Sequence, residues 1–292
     1  MMPTPDLTQA FLELIRRAAT DLPPDVEQAL RDAREKEAAG SAAQSALDTI
    51  LQNVAIARQR STPICQDTGT PIAYFHYPAG WSTLKLKAQF EAALKEATKK
   101  AYLRPNAVDP VTGKNTGDNV GSGTPVLHFE EWEKDYLEVD LMLKGGGCEN
   151  VSTQYSLPNA ELKAGRDLEG VRRVALDAVY KAQGKGCAPG FLGISVGGDR
   201  GVSYFVAKEQ LFRKLDETSA NPEVAAVEQR ITAEANQLGI GPMGFGGQTT
   251  VLATQIGIPH RHPASFFVTV AYMCWAHRRR SLTWRAGEYH ID

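Results

Sequence analysis

The chain has 292 residues, and its 32 Lys and Arg against 34 Asp and Glu give a formal net charge of −2. This near balance argues against nucleic acid or an anionic membrane as the main partner. No apolar run approaches the roughly 20 residues of a membrane-spanning helix, and residues 1–13 lack the basic and apolar regions of a signal peptide. We therefore expect a cytoplasmic protein with no membrane partner and with reduced cysteines.

The first part of the chain, about residues 1–60, is predicted to be helical. Apolar side chains recur there at helical spacing as far as Val54, and Pro63 ends the pattern. Beyond it, strand and helix patterns alternate irregularly, with a long polar loop at 104–124 of a kind that is usually functional or disordered. The predicted strands lie at 72–77, 137–143, 191–196 and 264–275, and the predicted helices at 83–102, around 171–179 and at 222–239.

Neither an internal repeat nor a separating linker interrupts this pattern. We therefore predict a mixed α/β fold, a single large helix-and-sheet domain over residues 1–292.

One loop motif combines three adjacent side chains that can bind a metal or take part in catalysis. Cys65, Gln66 and Asp67 stand side by side after the helical segment and just before Gly69, which can turn the backbone. A thiolate is a good ligand for soft metal ions such as those of iron–sulfur centres, while an amide and a carboxylate can hydrogen-bond or exchange protons with a bound molecule. The motif therefore indicates a candidate metal-assisted site.

The other three cysteines, Cys148, Cys187 and Cys274, are far apart in the sequence. No C-x-x-C pair occurs, so spacing alone gives no zinc-ribbon or ferredoxin signature and does not select ligands. Each cysteine could equally be a small buried hydrophobic residue.

Polar and glycine-rich segments elsewhere have two interpretations each. The glycines at 145–147 could form an anion-binding nest, but a turn or bulge at a strand end is favoured. His260 and His262 could ligate a metal or be merely solvated, and Arg104 could pair with a carboxylate or be an ordinary surface arginine. The basic run at 277–280 is interpreted as a solvated or interface face.

Taken together, the segments resemble the N-terminal (α) portion of the class I, iron–sulfur-dependent fumarate hydratase and tartrate dehydratase family. The resemblance covers nearly the whole chain. It rests on Cys65-Gln66-Asp67-Thr68-Gly69, Arg104-Pro105-Asn106-Ala107-Val108, Asn115-Thr116-Gly117, Lys144-Gly145-Gly146-Gly147, Cys187-Ala188-Pro189, and His262-Pro263-Ala264-Ser265 leading to Cys274.

This resemblance implies a [4Fe–4S] cluster in a site built from loops. The matching ligand positions are Cys65, Cys187 and Cys274, and the fourth iron is left open for substrate. Cys148 follows the glycine motif, where the family needs no cysteine, so it is interpreted as a non-ligand.

The resemblance also implies reversible hydration of fumarate to (S)-malate. An open iron would act as a Lewis acid on the substrate hydroxyl. Asp67 and His262 are candidates for proton handling or for orienting groups. The implied substrate contacts are Gln66, Asp67, Arg104, Gly147 and His262.

In single-chain members a C-terminal β portion supplies further groups, including the expected catalytic base. This chain therefore resembles the α subunit of a hetero-oligomer, or a piece of a longer enzyme, that needs a β subunit for activity. The closest alternative is the α subunit of a tartrate dehydratase, which converts tartrate to oxaloacetate. A non-catalytic iron–sulfur protein and a zinc hydrolase using His260, His262 and a cysteine are weaker alternatives.

Overall fold

The computed structural model describes residues 4–292, so the first three residues of the predicted helical segment lie outside it. The tertiary contacts group into two compact, interleaved units. Among the described residues, the first comprises 4–23, 52–145 and 276–292, and the second comprises 24–51 and 146–275. Each unit combines helices with a sheet that contains both parallel and antiparallel pairs, so the predicted mixed α/β class is confirmed. The single domain over 1–292 stays a prediction.

Secondary structure covers most of both units, and no helix among residues 4–292 is long and apolar enough to cross a membrane. The helices are α1 (Thr8–Thr20), α2 (Pro24–Lys36), α3 (Ala42–Arg60), α4 (Thr83–Lys99), α5 (Gly146–Val151), α6 (Leu168–Ala182), α7 (Arg200–Gln210) and α8 (Pro222–Asn236). The strands are β1 (Thr70–Pro78), β2 (Val126–Trp132), β3 (Leu137–Lys144), β4 (Thr153–Ser156), β5 (Gly190–Val196), β6 (Val251–Gly257), β7 (Phe267–Met273), β8 (Arg279–Arg285) and β9 (Glu288–Ile291).

The first unit is built on a five-stranded sheet in the order β2-β1-β3-β8-β9. One face of this sheet is apolar and packs against α1 and α4. At its centre the ring of Phe75 on β1 lies 5.7 Å from that of Phe11 and 5.6 Å from that of Phe90. Ser82 caps α4, because its side chain accepts a hydrogen bond from the Lys85 amide. This packing fixes β1, which begins directly after the loop that carries Cys65.

The second unit is built on a four-stranded sheet in the order β4-β7-β5-β6. Its core fills the space between this sheet and the buried faces of α6 and α8. Asn221 caps α8, and Pro222 occupies its first turn. Gly193 on β5 allows α7 to approach closely, since a Cβ there would lie 2.1 Å from the carbonyl oxygen of Ala207. β7 ends one residue before Cys274 and so fixes that cysteine's position.

Candidate active site

In the first unit, the loop that carries Cys65 is anchored at the residue before it. Ile64 is buried; its amide donates to the carbonyl of Ala19 (3.0 Å), and its own carbonyl accepts from Asn53 Nδ2 (2.7 Å). These bonds tie the loop to α1 and α3. Cys65 is half-buried and Gln66 is exposed, so both side chains have access to solvent. The residue before them, Ile64, is held in place by the two hydrogen bonds.

Asp67 is held in this loop through both its side chain and its main chain. Its Oδ1 accepts the amide of Gly69 (3.0 Å), and its carbonyl oxygen accepts Nη1 of Arg278 (2.7 Å). Gly145 makes room for the carboxylate, because a Cβ there would lie 3.1 Å from Asp67 Oδ2. The carboxylate is therefore positioned before any substrate arrives.

Arg104 lies against the same loop. Its amide donates to Thr68 Oγ1 (3.1 Å), and its Nη1 donates to the Gln66 carbonyl (3.3 Å). Thr68 is fully buried and also accepts Asn106 Nδ2 (2.9 Å). The first unit thus brings together a carboxamide, a carboxylate and an exposed guanidinium, the group best suited to recognising a carboxylate through two parallel hydrogen bonds.

The long polar loop at 104–124 is organised by Asn119, which the sequence analysis did not single out. Its Oδ1 accepts the Asn106 amide (2.7 Å), and its Nδ2 donates to Thr98 Oγ1 and to the Arg104 carbonyl, both at 2.9 Å. Asn119 is 2% exposed and has a left-handed backbone with φ +64°. Asn is among the few residues that tolerate this conformation, which is the one sequence signal that could have marked it.

The prediction that residues 277–280 form a solvated or interface face is wrong for this chain. His277 is fully buried, and Arg278, Arg279 and Arg280 are at most 5% exposed. β8 begins at Arg279 and pairs with β3, which draws the run into the fold. Arg280 Nη2 donates to the Leu22 carbonyl (2.8 Å) and lies 3.2 Å from Asp21 Oδ2, so a main-chain oxygen and a carboxylate replace water around this charge. Burial nevertheless lowers the pKa of Arg280.

In the second unit, three of the four cysteines lie close together. The amide of Trp275 donates to the Cys187 carbonyl (3.2 Å), and the amide of Cys274 donates to Cys148 Sγ (3.2 Å). Cys187 ends a 3₁₀ turn with a left-handed backbone (φ +53°). None of the four cysteines forms a disulfide; Cys65 and Cys187 are half-buried, whereas Cys148 and Cys274 are buried.

Tyr272, which is buried, is close enough to these three cysteines to be influenced by them electrostatically. Burial, followed by the nearby thiols of Cys274, Cys148 and Cys187, raises the pKa of this phenol. A Cβ on Gly186 would lie 2.5 Å from the ring. The glycine just before Cys187 is therefore required by packing, not by flexibility.

Gly147 and His262 also belong to the second unit. Gly147 lies in α5, which begins at Gly146, so the favoured interpretation of this glycine run as a turn or bulge is wrong: the chain continues into a short helix. His262 lies in an exposed loop, and its Nδ1 accepts the amide of Ala264 (3.1 Å). That bond requires a lone pair on Nδ1 and so places the proton of the neutral ring on Nε2.

The predicted residues therefore form two sets. Cys65, Gln66, Asp67 and Arg104 meet in the first unit, whereas Gly147, Cys187, His262 and Cys274 belong to the second. The donor chemistry fits an iron–sulfur cluster, since free thiols supply the soft ligands that such clusters need.

Comparison with known proteins identifies the class. The family model described as "Fumarate hydratase (Fumerase)" matches residues 8–283. The chain belongs to this family, whose class I members depend on iron–sulfur clusters in general.

Individual relatives carry two kinds of name. The "Putative fumarate hydratase class I" of Geobacillus stearothermophilus is 51% identical over 290 residues, which cover 98% of this chain and 55% of the relative. The "Putative L(+)-tartrate dehydratase subunit alpha" of Methanocaldococcus jannaschii is 35% identical over 94% of this chain and 95% of the relative. The "L(+)-tartrate dehydratase subunit alpha" of Escherichia coli K12 is 29% identical over 94% and 90%. The chain thus spans about half the length of the Geobacillus protein and nearly all of the two alpha subunits.

Proposed function

We propose that this chain is the α portion of an iron–sulfur hydro-lyase that reversibly hydrates fumarate to (S)-malate. The observation that carries the proposal is the meeting of Gln66, Asp67 and Arg104 in one anchored loop cluster beside a candidate cysteine ligand. The identity of 51% to a protein named as a fumarate hydratase favours fumarate. The free thiols are consistent with our proposal of a cytoplasmic protein.

The ligands of a [4Fe–4S] cluster would be Cys65, Cys187 and Cys274. When bound, a cluster with one iron free of cysteine supplies a Lewis acid for the hydroxyl group that leaves or adds. Cys148 is proposed as a non-ligand, because it follows the glycine motif at a position where the family needs no cysteine.

The remaining residues would orient the substrate. The Arg104 guanidinium is exposed and can pair with one carboxylate through two hydrogen bonds. The Gln66 amide can donate to the substrate, and Gly147 leaves space beside α5. His262 would donate from Nε2, because Nδ1 already accepts a main-chain amide.

Asp67 and His262 are the proposed catalytic residues on this chain. The Asp67 carboxylate is held through Oδ1 by the Gly69 amide, so it can accept or return a proton from a fixed position. With Nδ1 accepting the Ala264 amide, neutral His262 would present Nε2–H to the substrate as a hydrogen-bond donor that orients it. We assign the base that removes the carbon-bound proton to a β portion.

A β subunit is the proposed partner, in a hetero-oligomer. Two relatives of matching length are named as alpha subunits, and the Geobacillus relative extends well beyond the region this chain matches. We expect the isolated chain to bind the cluster but to turn over fumarate slowly. High hydratase activity of the purified chain without any partner would contradict this arrangement.

The test is anaerobic reconstitution of the chain with iron and sulfide, followed by electron paramagnetic resonance with and without malate. We expect about four irons per chain and a reduced-cluster signal that malate changes. Arg104→Met should remove the malate effect, and the matched surface variant Arg34→Met should retain it. Failure of the chain to take up iron, or a signal that no dicarboxylate changes, would overturn the proposal.

Tartrate is the second candidate substrate, because two alpha-subunit relatives are named for it. Titrating the same reconstituted sample with tartrate decides between the two. A larger spectral change and tighter binding with tartrate than with malate would move the assignment to tartrate dehydratase.

A further inference from the structure

A second group of metal-ligating side chains lies in the first unit, on the sheet face opposite α1 and α4. It consists of His76 on β1 with Glu138 and Asp140 on β3, and none of the three belongs to the loop cluster described above. One ligand atom from each residue lies within 4.8 Å of the other two. This spacing is close to the ~3–4 Å that separates neighbouring ligands around an ion with bonds of about 2.1 Å, so small side-chain rotations would close the site.

The strand register makes this arrangement rigid. His76 is directly opposite Glu138 in the antiparallel β1–β3 pair, and Asp140 follows two residues later on the same face. The ring of His76 also stacks on Trp132 of β2, with centroids 5.2 Å apart and planes 24° apart. Neighbouring strands and a stacked ring therefore hold the imidazole and both carboxylates.

The two nitrogens of His76 have different surroundings. Nε2 lies 3.4 Å from Glu130 Oε2. Nδ1 is shielded from solvent and has no hydrogen-bond partner among residues 4–292. A histidine that ligates a metal usually gives its other nitrogen to a carboxylate, and His76 already has this second interaction.

The surroundings of the Glu138 and Asp140 carboxylates also favour the binding of a cation. Asp140 is largely buried and accepts a hydrogen bond from the Ser281 hydroxyl on β8, which orients it. Burial, and then the negative charges of Glu138 and Asp292, raise the pKa of Asp140, while His76 and the Ser281 bond oppose the shift. A divalent ion would remove this repulsion between carboxylates.

We propose that His76, Glu138 and Asp140 form a second metal site, for a divalent transition-metal ion such as Mn²⁺ or Zn²⁺. The ion would be bound by one imidazole nitrogen and two carboxylate oxygens, with water completing its coordination. Glu130 would not bind the ion itself but would orient the His76 ring. The ion would join β1 to β3 and so stabilise the sheet that positions the Cys65 loop.

The test is a titration of the whole chain with Mn²⁺, with free ion counted by electron paramagnetic resonance. Mn²⁺ is chosen because carboxylate and imidazole ligands suit it better than the thiols of the cysteines do. We expect one saturable ion per chain, displaced by Zn²⁺, with affinity reduced at least about tenfold by Glu138→Gln and about 10–100-fold by Glu130→Gln.

Glu131→Gln is the matched control, since Glu131 neighbours Glu130 on β2 but is paired with Tyr77, on the other face of the sheet. It should bind Mn²⁺ as the unmodified chain does. If Asp140→Asn fails to fold by circular dichroism, the half-buried Glu138 still carries the test. An unmodified chain without saturable binding, or a Glu138→Gln variant that binds equally well, would overturn the proposal.

Discussion

Gly69→Ala tests whether the Cys65 loop depends on close packing against β3. Gly69 has a left-handed backbone with φ +82°, and a Cβ there would lie 2.7 Å from the Leu143 carbonyl carbon and 2.9 Å from the Lys144 nitrogen. Both neighbours are main-chain atoms of a paired central strand, so neither can move away at low cost. The amide of Gly69 also holds Asp67 Oδ1, and a shift here would move that carboxylate.

Gly117→Ala is the matched control. Gly117 lies in the same unit with φ +84°, and a Cβ there would meet no atom within 4 Å. Both substitutions carry the left-handed penalty of about 1–2 kcal/mol, partly offset by the reduced entropy of the unfolded chain. Only Gly69→Ala adds overpacking, at about 1–3 kcal/mol. The difference between the two variants isolates that second effect.

The assay is thermal unfolding of both variants and of the unmodified chain, without metal and under one reducing buffer. A difference of 1–3 kcal/mol corresponds to a Tm about 2–12 °C lower for Gly69→Ala than for Gly117→Ala. After reconstitution with iron and sulfide, the Gly69→Ala variant should also lose the malate-dependent change in the electron paramagnetic resonance signal. Equal Tm values for the two variants would refute the reasoning, because the close approach to β3 would then have no energetic consequence.

Three further predictions concern charged and sulfur groups. Arg278→Lys removes a charge-assisted hydrogen bond to the Asp67 carbonyl. It should weaken malate binding about 10–100-fold and leave the iron content unchanged. An unchanged affinity for malate would exclude a positioning role for Arg278. Cys148→Ala should retain about four irons and Cys187→Ala should lose them in iron analysis; cluster loss from Cys148→Ala would make it a ligand. The pKa of Glu169 is lowered to about 2, mainly by its bond from Arg172. Glu169→Gln should therefore lower stability above about pH 4.5, by less than about 1 kcal/mol because the Glu169 side chain is 40% exposed to solvent. This deficit should fade as pH falls toward 2, and urea unfolding at several pH values would show a constant difference if the interaction were absent.

Elements with one clear period were predictable from the sequence. The apolar stripe that includes Phe90 predicted α4, and its members are buried, except that Ala101 lies beyond the helix and is exposed. The alternation that begins at Leu137 predicted β3, but its last four residues are buried on both faces, so the strand is only partly one-sided. Periodicity reports which positions are buried, and it therefore works where a single apolar face decides the structure.

Elements without such a pattern were missed. β2 places Glu130 and Glu131 side by side, one toward each face of an edge strand, so it shows neither alternation nor an apolar run. α7 follows a cap by Asp199, whose Oδ1 accepts the Val202 amide, but its apolar face is short. The buried arginines at 278–280 were misjudged for a related reason: charge predicts exposure unless main-chain oxygens and carboxylates of distant segments replace water, and sequence does not show those partners.

The cysteines show the same limit in the candidate site. The spacing of the cysteines in the sequence did not distinguish Cys148 from Cys187, although Cys148 is 2% exposed and Cys187 is half-buried. Cys148 Sγ accepts the Cys274 amide (3.2 Å) and so holds the main chain at a proposed ligand. Because that bond joins residues 126 positions apart, only the folded chain could reveal it. It gives Cys148 a positioning role beside Cys274, and retention of about four irons by Cys148→Ala would show that its sulfur is not itself a ligand.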